Sequence, residues 1–326
     1  MTSGMTSGIT GDSATNGGTT RYRVSHRTSY TYGLAVADAY TVACLLPRER
    51  EFQEVLQSRV ITSPEPDEFV ETRDVFGNRI VQLGVHHRHD AFEITAESIV
   101  DTTVQTVPST SRSWEQVAEI ARTLRGRESI KIGPYRAATR HSTPMARTDL
   151  LAALAGRIFT PGRPVVEAVT DLSREIFEAY GFDPTATDWA TPLDTVLEKQ
   201  RGVCQDFAHL ATAVFRWVGL PASYVSGYIE TDPPPGEVKS IGADASHAWC
   251  SVWTGPPNDD GGPASSVNAW LDLDPTNHQA PPTRHVTVGW GRDYADVAPV
   301  RGVVLGPGSN QLLDVAVDIT RVDVQA

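Results

Sequence analysis

Arg201-Gly202-Val203-Cys204-Gln205-Asp206-Phe207-Ala208-His209-Leu210 sets one cysteine where a turn becomes a helix. Gly202 supplies loose backbone just before it. After Cys204 the apolar residues Phe207, Leu210, Ala211, Val214 and Val218 recur at helical spacing. Gly219-Leu220-Pro221 stops the run, with glycine at the cap and proline beyond. Cys204 therefore stands at a helix N-terminus, where unpaired N–H groups and the positive end of the dipole favour a thiolate. A single cysteine is ordinarily a small buried hydrophobe. A thiolate is also the nucleophile of covalent acyl chemistry, provided a base is at hand.

Two later segments offer that base and a group to orient it. Ser246-His247-Ala248-Trp249-Cys250-Ser251-Val252-Trp253 reads as a strand, and Trp270-Leu271-Asp272-Leu273-Asp274 as a second one, stopped by Pro275. Paired antiparallel with His247 opposite Asp274, the strands put Trp249 opposite Asp272 and Ser251 opposite Trp270. Opposed side chains share a face, so His247 gains a carboxylate within hydrogen-bond reach. Cys204, His247 and Asp274 then have the roles of nucleophile, base and orienter.

These residues resemble the transglutaminase-like superfamily, a branch of the papain-like thiol enzymes. The similarity runs through Gly202-Val203-Cys204-Gln205-Asp206-Phe207-Ala208-His209, Ala245-Ser246-His247-Ala248-Trp249 and Asp274-Pro275-Thr276-Asn277. The tail Gly291-Arg292-Asp293-Tyr294-Ala295-Asp296-Val297-Ala298-Pro299-Val300-Arg301-Gly302 resembles bacterial members. So do Tyr22-Arg23-Val24-Ser25-His26, Leu46-Pro47-Arg48 and Asp74-Val75-Phe76-Gly77-Asn78. The resemblance covers nearly everything after residue 20 and implies a Cys204-His247-Asp274 triad. It leaves the reaction open, since members include crosslinking transglutaminases, peptidases, isopeptidases, amidases and proteins that have lost activity. One departure is Asp272, a second acid where an apolar residue is expected. It shares parity with Asp274 and would serve His247 in a slipped register; Asp274 is placed first because it matches the family motif.

The bulk composition narrows the classes. The chain has 326 residues, enough for two ordinary domains and a core without staples. A net charge of −12 argues against nucleic acid or an anionic membrane surface as partner. Cys44, Cys204 and Cys250 form no disulfide framework, which points to a reducing cytoplasm. No apolar run reaches the roughly 20 residues of a membrane span, and residues 1–20 lack a signal peptide's basic and apolar regions.

Along the chain, residues 1–20 read as a disordered tail and 21–110 as a β-rich domain. Residues 111–326 read as a helical region and catalytic core. Tyr22, Val24, His26, Thr28 and Tyr30 alternate, as do Phe92, Ile94, Ala96 and Ser98. Ser113 with Gln116 three residues on opens a helical stretch to about 157. Val166, Val169, Leu172, Ile176 and Phe177 make a stripe within 165–180, and Thr191-Pro192-Leu193-Asp194 starts another helix. Strands follow at 222–229, 246–253, 270–274 and 285–290, and 311–324 alternates as a strand that closes the sheet. The expected class is α+β: a papain/transglutaminase-like core, helices on an antiparallel sheet, behind a β-sandwich-like domain.

Other chemistry-bearing residues have plainer readings. Cys250 has parity opposite to His247 and is read as core, which also argues against a zinc pair. His209 lies about 140° around the helix from Cys204 and is read as packing or capping. His278 and His285 are read as surface loop residues, alternatively lining a cleft. His86-His87-Arg88-His89 offers two same-face imidazoles, too few for a zinc site. The loops at 232–236 and 258–263 flank the His247 strand and are expected to shape access. Gln200 and Gln205 are candidates for a second oxyanion donor beside the Cys204 N–H. The expectation is a cysteine-dependent acyl-transfer enzyme, most simply a peptidase, isopeptidase or amidase. It needs no cofactor and no metal and acts on a peptide, protein or small amide. A crosslinking transglutaminase is the alternative, and a non-catalytic binding protein is the rival of another class.

Overall fold

Alternation of inward and outward side chains shapes the first hundred residues, and hydrogen bonding sorts them into two sheets. The computed structural model describes residues 18–188, 190–232, 246–256, 269–279, 281, 284–306 and 311–323. The strands are β1 (Thr20–Val36), β2 (Asp38–Ala43), β3 (Gln53–Ser63), β4 (Glu68–Arg73), β5 (Arg79–Val85) and β6 (His89–Thr102). Tyr32, Val36, Ala39, Ala43, Val81, Leu83, Phe92 and Ile94 fill the space between the two inner faces. The loops at 232–236 and 258–263 lie outside the described residues except for Asp232, and so do residues 1–17 of the tail.

The helical stretch is interrupted rather than continuous. It divides into α1 (Trp114–Thr123), α2 (Arg127–Ile132) and α3 (Thr148–Ile158), followed by α4 (Val165–Ala179). Ser113 caps α1 as its sequence implies: its hydroxyl accepts Gln116 N–H, and Gln116 Oε1 accepts Ser113 N–H at 2.9 Å. Next come β7 (Gly181–Phe182), α5 (Leu193–Lys199), β8 (Arg201–Gly202) and α6 (Cys204–Trp217). Asp194 does not cap its own helix. Its carboxylate instead accepts backbone N–H groups of Met145, Ala146 and Arg147, tying the approach to α3 against α5. Gly219, at φ +87°, ends α6, with Leu220 N–H reaching back to Phe215 O at 2.9 Å.

The core sheet contains β9 (Ala222–Ile229), β10 (Ser246–Trp253), β11 (Trp270–Leu273) and β12 (His285–Gly291), in the order β11-β10-β9-β12 and antiparallel throughout. α6 packs between this sheet and the other helices. Its Phe207, Leu210, Val214 and Phe215 share a core with Leu172, Ile176, Leu197 and Val252. Among the described residues no helix is long and apolar enough to cross a membrane.

Two expectations are corrected here. β10 and β11 pair as Cys250↔Leu273, Ser251↔Asp272 and Trp253↔Trp270, two residues away from the register that sets His247 directly opposite Asp274. A shift of two keeps every side chain on its face, so the sequence pattern is blind to it. The strand expected to close the core sheet goes elsewhere. After β13 (Val300–Leu305), β14 (Gln311–Val322) pairs with β1, and β13 pairs with β2. The N-terminal sheets therefore run β14-β1-β6-β3 and β13-β2-β5-β4, and the core is held between strands of one β unit. A third cluster (Tyr22, Val24, Val100 and Ile319 with Tyr228, Val286 and Val288) welds that unit to the core sheet.

Candidate active site

The turn before Cys204 is fixed from both sides. β7 and β8 pair in parallel, with Gly181 N–H on Gln200 O and Asp183 N–H on Gly202 O, both at 2.9 Å. Gln200 adopts the left-handed conformation (φ 50°) that lets α5 end and the chain turn. The role of Gly202 is space rather than looseness: a Cβ there would lie 2.6 Å from Asp206 Oδ2. That oxygen accepts Val203 N–H at 2.8 Å and the Thr187 hydroxyl at 2.6 Å, closing the first turn of α6 from within. Burial nevertheless holds the Asp206 carboxyl above its ordinary range. Cys204 begins the helix and is half-buried.

The fold brings Cys204, His247 and Asp274 together. His247 Nε2 lies 2.8 Å from Asp274 Oδ2. With Nε2 held by Asp274, Nδ1 is the nitrogen left to serve Cys204, whose sulfur lies close enough to raise the pKa of the ring. Burial acts to discharge His247, but the Asp274 carboxylate and the Cys204 sulfur outweigh it and push its pKa up to about 10. Asp274 lies just past β11, in an isolated bridge with Gln279, and reaches His247 diagonally across the strands. Its Oδ1 accepts Thr276 N–H at 2.9 Å and Asn277 N–H at 3.3 Å, an Asx turn over Pro275. Its Oδ2 also accepts Asn277 Nδ2 at 2.7 Å. The carboxylate is fully buried, and its donors overcome that burial to hold it well below the usual carboxylate range.

His285, read from sequence as a surface or cleft residue, is fully buried, and its Nε2 lies 3.0 Å from the same Asp274 Oδ2. The His247, Asp274 and His285 donor atoms lie within 4.8 Å of one another. Both nitrogens stand at hydrogen-bond distance from one shared oxygen, the arrangement of N–H donors on a carboxylate, and the group is read as that rather than as metal ligands.

Asp272 serves a different partner. It is fully buried and forms an ion pair with Arg50 of the β unit, whose Nη1 and Nη2 lie 2.6 and 3.1 Å from its two oxygens. Trp249 Nε1 donates to Oδ2 at 3.2 Å. Burial would raise its pKa, and Arg50 brings it below the ordinary value instead. Arg50 also donates to Thr287 Oγ1 at 2.9 Å and lies over the Phe52 ring. Trp249 in turn lies near-parallel to His247, at 6.0 Å between ring centres. The second acid is thus the anchor by which the β unit grips the floor of the site.

The remaining residues fall outside this cluster. Cys250 is core beneath α6, its Sγ donating to Leu273 O at 3.3 Å. His209 is buried, stacks on His141 and Tyr224, and accepts Tyr294 N–H at 3.2 Å; burial keeps it neutral. His278 is exposed and stacks on Phe177. His86 and His87 bond the separate carboxylates of Asp38 and Asp67.

Two regions of the chain match known families. Residues 22–101 match the bacterial transglutaminase-like N-terminal region, and residues 152–275 match the transglutaminase-like superfamily. An uncharacterized protein of Mycobacterium tuberculosis is 39% identical over 307 residues, 93% of each chain. One of Mycobacterium leprae is 32% identical over 302 residues, 92% of this chain and 99% of its own. The crystal structure of a candidate cysteine protease from Cytophaga hutchinsonii shares the fold, with a TM-score of 0.68. It is 21% identical and covers 95% of this chain and 93% of that one. With a cysteine opening the core helix, a histidine and an aspartate on the sheet beside it, and both matched regions in order, the chain belongs to the transglutaminase-like superfamily.

Proposed function

We propose that the protein is a cysteine-dependent enzyme that cleaves an amide bond through a Cys204-His247-Asp274 triad on an α+β core. The observation that carries this reading is His247, held by Asp274 at 2.8 Å and near enough to the Cys204 sulfur for the two together to favour its charged form. Cys204 first passes its proton to His247 Nδ1, and in acylation the thiolate Sγ then bonds to the carbonyl carbon. The C–N bond then breaks, and the Nδ1 proton goes to the departing amine, leaving a thioester. Asp274 fixes the ring with Nε2 protonated, so that Nδ1 is the basic nitrogen, and stabilises the imidazolium. The Cys204 backbone N–H, in the first turn of α6, is one oxyanion donor.

Water resolves the thioester by the reverse proton path, which makes the protein a peptidase, isopeptidase or amidase. The half-buried, solvent-reached thiol favours water as acceptor. An amine acceptor, as in a crosslinking transglutaminase, is the alternative. The substrate is a peptide, protein or small amide. Side chains supply both nucleophile and base, so the step calls for no metal or cofactor. The test is a screen of peptide, isopeptide and small amide substrates with and without a primary amine, run beside Cys204→Ala and Cys250→Ala. Turnover is expected to vanish in the first variant and persist in the second. Full activity of Cys204→Ala ends the proposal, and amine incorporation exceeding hydrolysis selects the alternative.

A further inference from the structure

We propose that His285 is a positioning residue of the candidate triad: by sharing the Asp274 oxygen that His247 uses, it limits how tightly that carboxylate holds the His247 imidazolium. The inference rests on the reading of Cys204, His247 and Asp274 given above.

The geometry allows His285 little else. Its ring is fully buried, and Trp249 meets it edge-on at 5.0 Å and 73°. Burial keeps it neutral. A neutral imidazole carries one N–H, and to donate to a carboxylate 3.0 Å away it must carry it on Nε2. Nδ1 is then a bare acceptor, and among the described residues it meets no partner. A residue kept only to fill space would avoid that loss by being apolar. The polar link that the structure gives the ring runs to the carboxylate beside His247.

That link bears on proton delivery. To expel the amine, the His247 imidazolium must surrender its Nδ1 proton. A buried carboxylate bound to nothing else would grip the imidazolium and make it a poor acid. Oδ2 instead divides its charge among His247, Asn277 and His285. The titratable groups around this oxygen and His285 are His247 from β10 and Asp272 from β11, with Cys204 of α6 next to His247. Asp272 is already committed to Arg50. His285 is thus the neutral donor that tempers Asp274 without adding charge.

Alkylation of Cys204 by iodoacetamide, followed against pH, tests this without knowledge of the substrate. A thiolate–imidazolium pair gives two inflections, the upper one marking loss of the His247 proton. In His285→Phe, which keeps a planar ring and removes the donor, the upper inflection should rise by about 0.5–1 pH unit. In any substrate assay kcat should fall several-fold more than KM changes. His285→Gln, whose amide replaces the N–H, should stay near the wild type. His285→Asn, too short to reach, should follow His285→Phe and serves if that variant does not fold. An unmoved inflection in the folded donorless variants overturns the proposal, as does a shift in His285→Gln equal to theirs. If wild-type Cys204 itself reacts as an ordinary thiol, with one inflection near 8.5, it is the reading of the triad that fails instead.

Discussion

At the scale of single residues, two aspartates two positions apart do different work. Asp272→Asn leaves Arg50 charged and buried without a counter-ion, which costs about 3–5 kcal/mol of stability. Protein that remains folded should turn over nearly as well as the wild type. Asp274→Asn should have the opposite profile, with activity falling about 10²–10³-fold. That is less than the roughly 10⁴ of a serine triad, because the thiolate–imidazolium pair forms before substrate is attacked. Stability and rate measured on both variants decide the matter, and a crippled but stable Asp272→Asn would overturn the assignment. The pair also predicts a pH signature. His247 is raised from 6.5 to about 10 in the fold, so its added stability is complete below about pH 6.5 and fades as pH climbs toward 10. Asp274 is depressed, so its contribution holds above the unfolded value near 3.8 and is lost as pH falls through the lower folded value. The stability gap between wild type and Asp274→Asn, read by urea unfolding, should be wide near pH 6 and narrow near pH 10. A gap of equal size at both would detach the His247 proton from Asp274.

At the scale of elements, what the sequence reveals is local. The cysteine at a helix start, the Ser246-His247-Ala248-Trp249 strand and the Ser113 cap were all legible, because each is a pattern within a few residues. The β10–β11 register was not, since a two-residue slide leaves the alternation intact. His285 was missed because β12 reaches the site through β9 rather than through any neighbour in sequence. Its signal lay in the strand expected at 285–290: the run Val286-Thr287-Val288 after it has no outward polar alternation to speak of, which marks burial on both faces rather than a surface position. Arg50 finds its partner 222 residues away, and no spacing rule spans that distance. Gly202, taken from sequence as flexible, proves to be a matter of room. Gly202→Ala should push Asp206 off the Val203 N–H and cost about 1–3 kcal/mol. Cys204 alkylation should slow with it, and normal thermal unfolding and alkylation together would contradict this account of the turn.

At the scale of the whole molecule, the β unit is a structural part of the site. It supplies Arg50 to the buried Asp272, and its Tyr22, Val24 and Ile319 pack on Tyr228, Val286 and Val288 of the core sheet. A chain ending at Pro299 lacks β13 and β14 and exposes the edges of β1 and β2. It should aggregate or melt far below the full chain, although it keeps all three triad residues. A soluble, active product would show the core to be self-sufficient. The pairing of β14 with β1 also has a meaning in time. Strand β1 cannot complete its pairing until the strand that carries Arg321, far later in the chain, has been made. The loop-closure entropy of so long a separation grows only logarithmically, so the wait weighs little on final stability and heavily on the rate of folding. The β unit that grips the site through Arg50 and Asp272 is thus itself completed late, by the last of the described strands.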